Sequence, residues 1–286
     1  MKKVLIVGAN GLIGRHLIER LRTEYRVLAL GRKDPRIKNV SWVEQDLEYE
    51  IDFQKFPQEV DKVVYLAQSE HFREFPDKAS SIFRVNTLRM LEIIDYARRK
   101  NVQNFIYASS GGVYGTGERG FSEDSTVPAK GYLGFYLSTK LCSEILAENY
   151  TEYMKIAVLR FFFVYGSGQK RSMLIPRLVD NVRAGNPITL EGEEGILINP
   201  THVSDAVEAI SASLCLENSE VFNIGGPDIL SLKDICMTIG GRVGVEPVFK
   251  MLKNTKPKNL IGDISKMKKQ LWEPVINFKK GLESVL

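Results

Sequence analysis

The chain has 286 residues, 44% hydrophobic and 26% charged, which is long enough to bury a full core and ordinary for a globular protein. Its formal net charge of +4 is small and its Lys and Arg are spread along the sequence, which speaks against a nucleic-acid partner. Cys142, Cys215 and Cys236 lack metal-ligand spacing and His16, His71 and His202 stand apart, so no metal site is expected and the thiols read as reduced core residues of a cytoplasmic protein.

The opening stretch, MKKVLIVGANG, carries an apolar run that meets Gly8 too soon for a signal-peptide core or a membrane span, and it reads as a buried first strand. The helical pattern GLIGRHLIERLRT follows, and then RVLALG (26–31), VSWVEQD, DKVVYLA and QNFIYASS continue the strand series. A long helical segment near 78–100 precedes the last of these, and a second long helix, about 132–153, precedes KIAVLRFFFVYG. Strands rich in Val, Ile and Leu without polar alternation suit a parallel sheet covered on both faces. Alternation of strand and helix from the first residue predicts an α/β, doubly wound sheet.

After Gly166 the pattern loosens. SGQKRSMLIPRLVDNVRAGNP reads as a loop and a helix, THVSDAVEAISASL as a helix, and EVFNIGG as a strand suited to the main sheet. From Ser231 on come short elements and a closing lysine-rich helix. The expected organisation is a sheet domain over 1–165 and about 200–227, with a smaller C-terminal α/β substrate lobe over 166–199 and 228–286.

The turn after the first strand, GANGLIG, places Gly8, Gly11 and Gly14 at the mouth of the first helix. Gly8 permits the tight turn, Gly11 lets the backbone approach a pyrophosphate, and Gly14 lets helix pack on strand, which is the Rossmann dinucleotide pattern. An anion there faces free N–H groups and the positive end of the helix dipole. Asn10, Leu12 and Ile13 belong to the same expected cofactor loop. At the end of the second strand, where an NAD site usually offers an acid, stand Gly31, Arg32 and Lys33. An arginine fork suits a 2′-phosphate, so NADP(H) is favoured over NAD(H). Asp46 is a candidate adenine contact, and Leu47, Leu66 and Ala67 at the following strand ends complete the expected cofactor wall.

Ser109 and Ser110 close the fifth strand at the edge where such sheets bind ligands, and Tyr136 and Lys140 lie one turn apart on the next helix. An ammonium about 4 Å from a phenol at effective dielectric about 20 favours the phenolate by roughly 4 kcal/mol, which predicts a Tyr136 pKa lowered towards neutrality. A tyrosine so tuned suits general acid–base catalysis.

Across nearly its whole length the chain resembles the extended short-chain dehydrogenase/reductases, in particular their nucleotide-sugar epimerase, dehydratase and reductase branch. The resemblance rests on GANGLIG, DKVVYLA, RVNTLRMLEIIDYARRKNVQNFIYASSGGVYG, YLSTKLCSE, LRFFFVYGSGQ, HVSDAVEAI, FNIGG and GDISKMKKQLWEP in the right order. It implies that Tyr136 exchanges a proton with a substrate oxygen while hydride moves to or from a nicotinamide. It implies further that Lys140 holds the nicotinamide ribose, that Ser110 rather than Ser109 bonds the reacting oxygen, and that Asn86 supports the site. Family habit also implies a homodimer through paired long helices.

Two departures narrow the reaction. Dehydratases of this branch carry an Asp-Glu pair immediately after the catalytic hydroxyl residue, where this chain has Gly111 and Gly112, which argues against dehydration. At the positions where related epimerases use an asparagine and two arginines on the nucleotide diphosphate stand Phe163, Ile198 and Lys256, with Arg171 and Arg177 as compensating cations. The leading expectation is an NADPH-dependent reductase of a 4-keto(deoxy)sugar nucleotide. The alternatives are a nucleotide-sugar 4-epimerase that retains NAD, and a catalytically silent dinucleotide-sensing or scaffold protein.

Overall fold

The computed structural model describes residues 1–128, 133–252 and 255–286. Apolar runs become β1 (Lys3–Val7), β2 (Arg26–Gly31), β3 (Ser41–Glu44), β4 (Lys62–Tyr65), β5 (Asn104–Ser110) and β6 (Lys155–Phe161). Between them lie α1 (Leu12–Leu21), α2 (Ala79–Phe83), α3 (Arg89–Arg99) and α4 (Phe135–Glu148). Further on come α5 (Leu174–Arg183), β7 (Ile188–Glu191), β8 (Leu197–Ile198), α6 (Val203–Ser213) and β9 (Glu220–Ile224). The last elements are β10 (Leu230–Ser231), α7 (Leu232–Val243), β11 (Phe249–Leu252), α8 (Ser265–Gln270) and α9 (Phe278–Gly281).

Seven strands form one sheet in the order β3-β2-β1-β4-β5-β6-β9. Val7 pairs with Leu30 on one side and Tyr65 on the other, both in parallel register. β6 is tied to the chain leading into β5 by Lys155 N to Gln103 O, and to β9 by Ile156 N to Ser219 Oγ and Phe162 N to Ile224 O. The strand order reverses between β1 and β4, so the switch point where such sheets bind ligands lies at the carboxyl ends of those two strands.

The chain divides into two compact units: Met1–Val113, Pro128–Arg160 and Val207–Phe222 form the first, and Tyr114–Val127, Phe161–Ala206 and Asn223–Leu286 the second. The first has a core built on Leu5, Val7, Leu30, Val63, Tyr65, Phe105 and Tyr107 from neighbouring strands, with Ile93, Ile94 and Ala97 of α3 packed on it. The second has its own core, in which Ile175, Val179 and Val182 of α5 meet Ile235 and Ile239 of α7.

Local chemistry explains the differences from expectation. The segment near 78–100 is helical but not uniformly so: α2 and α3 are joined by a π-helical turn, Arg84–Leu88, which holds the fully buried Asn86. The second long helix is shorter than expected; Asn149 caps it, and the expected start at 132 lies outside the described residues. Cys215 is exposed, with Sγ 3.8 Å from the Tyr25 hydroxyl, and Cys142 is half-buried, so only Cys236 is the core thiol expected of all three. Among the described residues, no helix is long and apolar enough to cross a membrane.

Candidate active site

β1 delivers the chain into the glycine turn, and each glycine there has a separate steric reason. Gly8 has φ +91°, and a Cβ on it would lie 2.8 Å from the Ala67 backbone nitrogen. A Cβ on Gly14 would lie 2.4 Å from the Gly8 carbonyl oxygen, so that contact holds α1 against β1. At Gly11 the nearest atom would be 3.3 Å away, which leaves its outer face open to a ligand. Among the described residues no side chain caps α1, and its first turn, where Leu12 and Ile13 are half-buried, holds no acid. The open turn and uncapped helix end fit the pyrophosphate of a dinucleotide.

Asn10 ties this loop to the turn after β2: its Nδ2 donates to the Lys33 carbonyl at 2.9 Å and its Oδ1 accepts from the Lys33 N–H at 3.2 Å. Arg32, next to Lys33, donates through Nη1 to Glu70 Oε1 at 2.7 Å and through Nη2 to Oε2 at 3.4 Å. Half-buried Asp46 accepts from the Glu48 N–H, and Leu47 is buried in the core. Half-buried Leu66 and buried Ala67 continue the chain from β4.

β5 ends on two serines with different fates. Ser109 is buried and its hydroxyl donates to Glu144 Oε1, whereas half-buried Ser110 turns its Oγ to the Gly112 N–H at 3.2 Å. Glu144 is itself clamped by Arg160, with Nη2 to Oε2 at 2.6 Å and Nε 3.2 Å from both oxygens. One turn earlier on α4, buried Lys140 donates to the Ala108 carbonyl at 2.8 Å and lies 5.1 Å from the centre of the Tyr107 ring.

Tyr136, half-buried at the start of α4, donates to Gln68 Oε1 at 2.8 Å and packs against Phe72 at 5.4 Å between ring centres. Asn86 supports this corner by donating to Thr139 Oγ1 and accepting from the Ser69 N–H, both at 2.9 Å. Ser110, Tyr136, Lys140 and Asn86 all belong to the first unit.

The expected lowering of the Tyr136 pKa does not occur. Burial raises the phenol, and it lowers Lys140 to about 8, with Glu144 pulling the ammonium back up. The expectation treated the lysine as a fully charged neighbour, whereas desolvation acts on both groups and dominates here. Gln68 was not predicted, because 68 positions separate it from Tyr136 and leave no local signal. Glu144 was also missed, although its place four residues after Lys140 on one helix face was a readable sign.

The remaining candidates lie in the second unit. Phe163 has φ +46° and packs on that unit's core, and Ile198 is fully buried in β8. Arg171 pairs with Asp180, Nε to Oδ2 at 2.9 Å, and donates to the Val285 carbonyl at 3.0 Å. Arg177 is exposed on α5 and Lys256 is exposed.

A model of the NAD dependent epimerase/dehydratase family matches residues 4–225. A protein of Bacillus subtilis (strain 168) named as an uncharacterized UDP-glucose epimerase, YtcB, is 28% identical, over 98% of this chain and 95% of its own length. The structure of UDP-glucuronic acid 4-epimerase from Bacillus cereus in complex with UDP-glucuronic acid and NAD superposes with TM-score 0.88 at 26% identity, covering 99% of this chain and 97% of that one. MoeE5 in complex with UDP-glucuronic acid and NAD gives TM-score 0.84 at 27% identity, covering 99% and 97%. These neighbours overturn the expected preference for NADP(H), since they hold NAD. The expectation took Arg32 as a free guanidinium, whereas in the structure it is engaged by Glu70. They also favour the epimerase alternative over the reductase that led the sequence-based expectations.

Proposed function

This chain belongs to the NAD dependent epimerase/dehydratase family, and we propose that it interconverts C4 epimers of a UDP-linked sugar with NAD retained through the cycle. The observation that carries this reading is that Ser110, Tyr136 and Lys140 fold into the same unit as the glycine turn. NAD supplies, when bound, the hydride acceptor and donor. In this reading Tyr136, once its own proton has left to solvent, takes the proton of the C4 hydroxyl as a phenolate and later returns it as a phenol, with the substrate oxygen replacing Gln68 as hydrogen-bond partner. Ser110 bonds the same oxygen. Lys140 offers the N–H donors not aimed at Ala108 to the ribose, and its protonated form stabilises the phenolate that takes up the substrate proton.

Epimerisation is favoured over dehydration by the space after Ser110. A Cβ at Gly112 would already lie 2.8 Å from Leu137 Cδ2, so an acidic side chain there would have to displace Leu137. The second unit, with Arg171, Arg177, Phe163 and Lys256, is proposed to hold the sugar nucleotide. Exposed Phe83 on α2, Leu88 on the π-helical turn and Ile145 on α4 support a homodimer formed through these helices.

The test is incubation of the purified protein with UDP-glucose and with UDP-glucuronic acid, following the sugar H1 and H4 signals by NMR. The expected result is an equilibrium mixture of C4 epimers without net change in nicotinamide absorbance. Tyr136→Phe is expected to lower kcat by at least about 100-fold. Net consumption of NADPH, or full activity in Tyr136→Phe, would refute the proposal.

A further inference from the structure

The end of β2 lacks the acid that usually recognises an unphosphorylated adenosine ribose, and the structure shows why. A Cβ at Gly31 would lie 2.5 Å from Asn10 Oδ1, so the Asn10 side chain fills the space that an acid at 31 would need. The two Asn10–Lys33 bonds then hold the turn bearing Arg32 against the glycine loop. A cation fixed at this place would by itself attract a 2′-phosphate.

The compensating charge comes from the loop after β4. Glu70 takes the Arg32 guanidinium with both oxygens, at 2.7 and 3.4 Å. The Asp46 and Glu48 carboxylates also lie close enough to favour the charged guanidinium, whose pKa is raised chiefly by Glu70. Glu48 is held in place by the Ser81 hydroxyl at 2.5 Å. Arg32 is therefore paired with Glu70, and two further carboxylates add to the same field.

We propose that the Arg32–Glu70 ion pair sets the cofactor preference, with Glu70 replacing the missing acid at the end of β2 by cancelling Arg32 and so turning away a 2′-phosphate. This inference rests on the reading of the chain as an NAD enzyme. Removing the carboxylate frees the guanidinium to pair with a 2′-phosphate; removing the guanidinium keeps the carboxylate's negative charge there without the cation, which repels one. The two substitutions therefore act in opposite directions.

The test uses the full chain freed of co-purifying nucleotide, titrated with NADH and with NADPH and followed by reduced-nicotinamide fluorescence. Glu70→Gln is expected to shift the preference towards NADPH by about fivefold, with NADH affinity little changed. Arg32→Ala is expected to shift it further towards NADH, and Glu70→Asp to keep it. Both side chains are half-exposed, so the variants are expected to melt with the parent. An unchanged preference in Glu70→Gln, or shifts of the same sign in Glu70→Gln and Arg32→Ala, would overturn this inference and leave the NAD reading standing. A parent protein that binds neither dinucleotide would overturn the NAD reading and this inference with it.

Discussion

The Ser109 hydroxyl donates to the Glu144 carboxylate, whereas that of the neighbouring Ser110 accepts from the Gly112 N–H two residues on, and Ser110 is the serine proposed to meet the substrate. Ser110→Ala is expected to lower kcat of the proposed reaction by about 10- to 100-fold with stability nearly unchanged. Ser109→Ala is expected to do the reverse, costing about 1–3 kcal/mol of stability because a buried carboxylate loses a donor. Parallel NMR turnover assays and urea titrations distinguish them, and the opposite pattern would exchange the two assignments.

Glu144 and Arg160 are both nearly fully buried and face one another. Glu144→Leu takes the carboxylate from a buried guanidinium and is expected to cost about 3–5 kcal/mol, as is Arg160→Leu for the converse reason. The double variant is expected to be much less damaged than the two single losses added together. Chemical denaturation of all four proteins completes the cycle, and simple additivity would show that the pair does not act as a unit.

Lys140 gives stability a signature in pH. Its folded pKa of about 8 lies below its ordinary 10.5, so the penalty for burying the ammonium is fully present below pH 8. Between these values the unfolded chain binds the extra proton, and this residue's contribution to stability rises with pH, by at most about 1.4 kcal/mol per unit. Lys140→Met removes the rise. Unfolding free energies of parent and variant between pH 7 and about 10 supply the check, and a constant difference would refute the burial argument.

The glycine turn separates fold from binding. Gly14→Ala forces a methyl into the Gly8 carbonyl and is expected to cost about 1–3 kcal/mol. Gly11→Ala meets no atom nearer than 3.3 Å and is expected to fold with near-parent stability while binding NADH at least about tenfold more weakly. Thermal melts paired with NADH titration test both, and equal binding by parent and Gly11→Ala would remove Gly11 from the pyrophosphate contact.

What is legible in the sequence follows from how local each signal is. The strands β1 to β6 and the glycine turn are written in contiguous residues, and each was found within a few positions of its true place. Tyr136 and Lys140 are four apart, so one helix brings them together without help. Glu70 and Gln68 belong to a loop that only the pairing of β4 with β1 brings beside Arg32 and Tyr136, and no periodicity announces them. The pKa of Tyr136 was misjudged for a related reason: spacing reports a neighbouring charge, while the water removed from both partners depends on the packed fold. In the second unit β7, β8, β10 and β11 have two to four residues each, too short for an alternation pattern to emerge.

The first unit is drawn from three separate stretches of chain, the last of which, Val207–Phe222, carries most of β9. During synthesis β6 therefore emerges well before its outer neighbour, and most of the residues between them, 162–206, belong to the second unit. For that interval the nascent sheet carries an open apolar edge, with backbone N–H and C=O groups of Ile156, Val158 and Arg160 available to any passing strand. Neither unit can be obtained by cutting the chain once: a fragment ending at 160 keeps the glycine turn and Tyr136 but leaves β6 as a permanent edge.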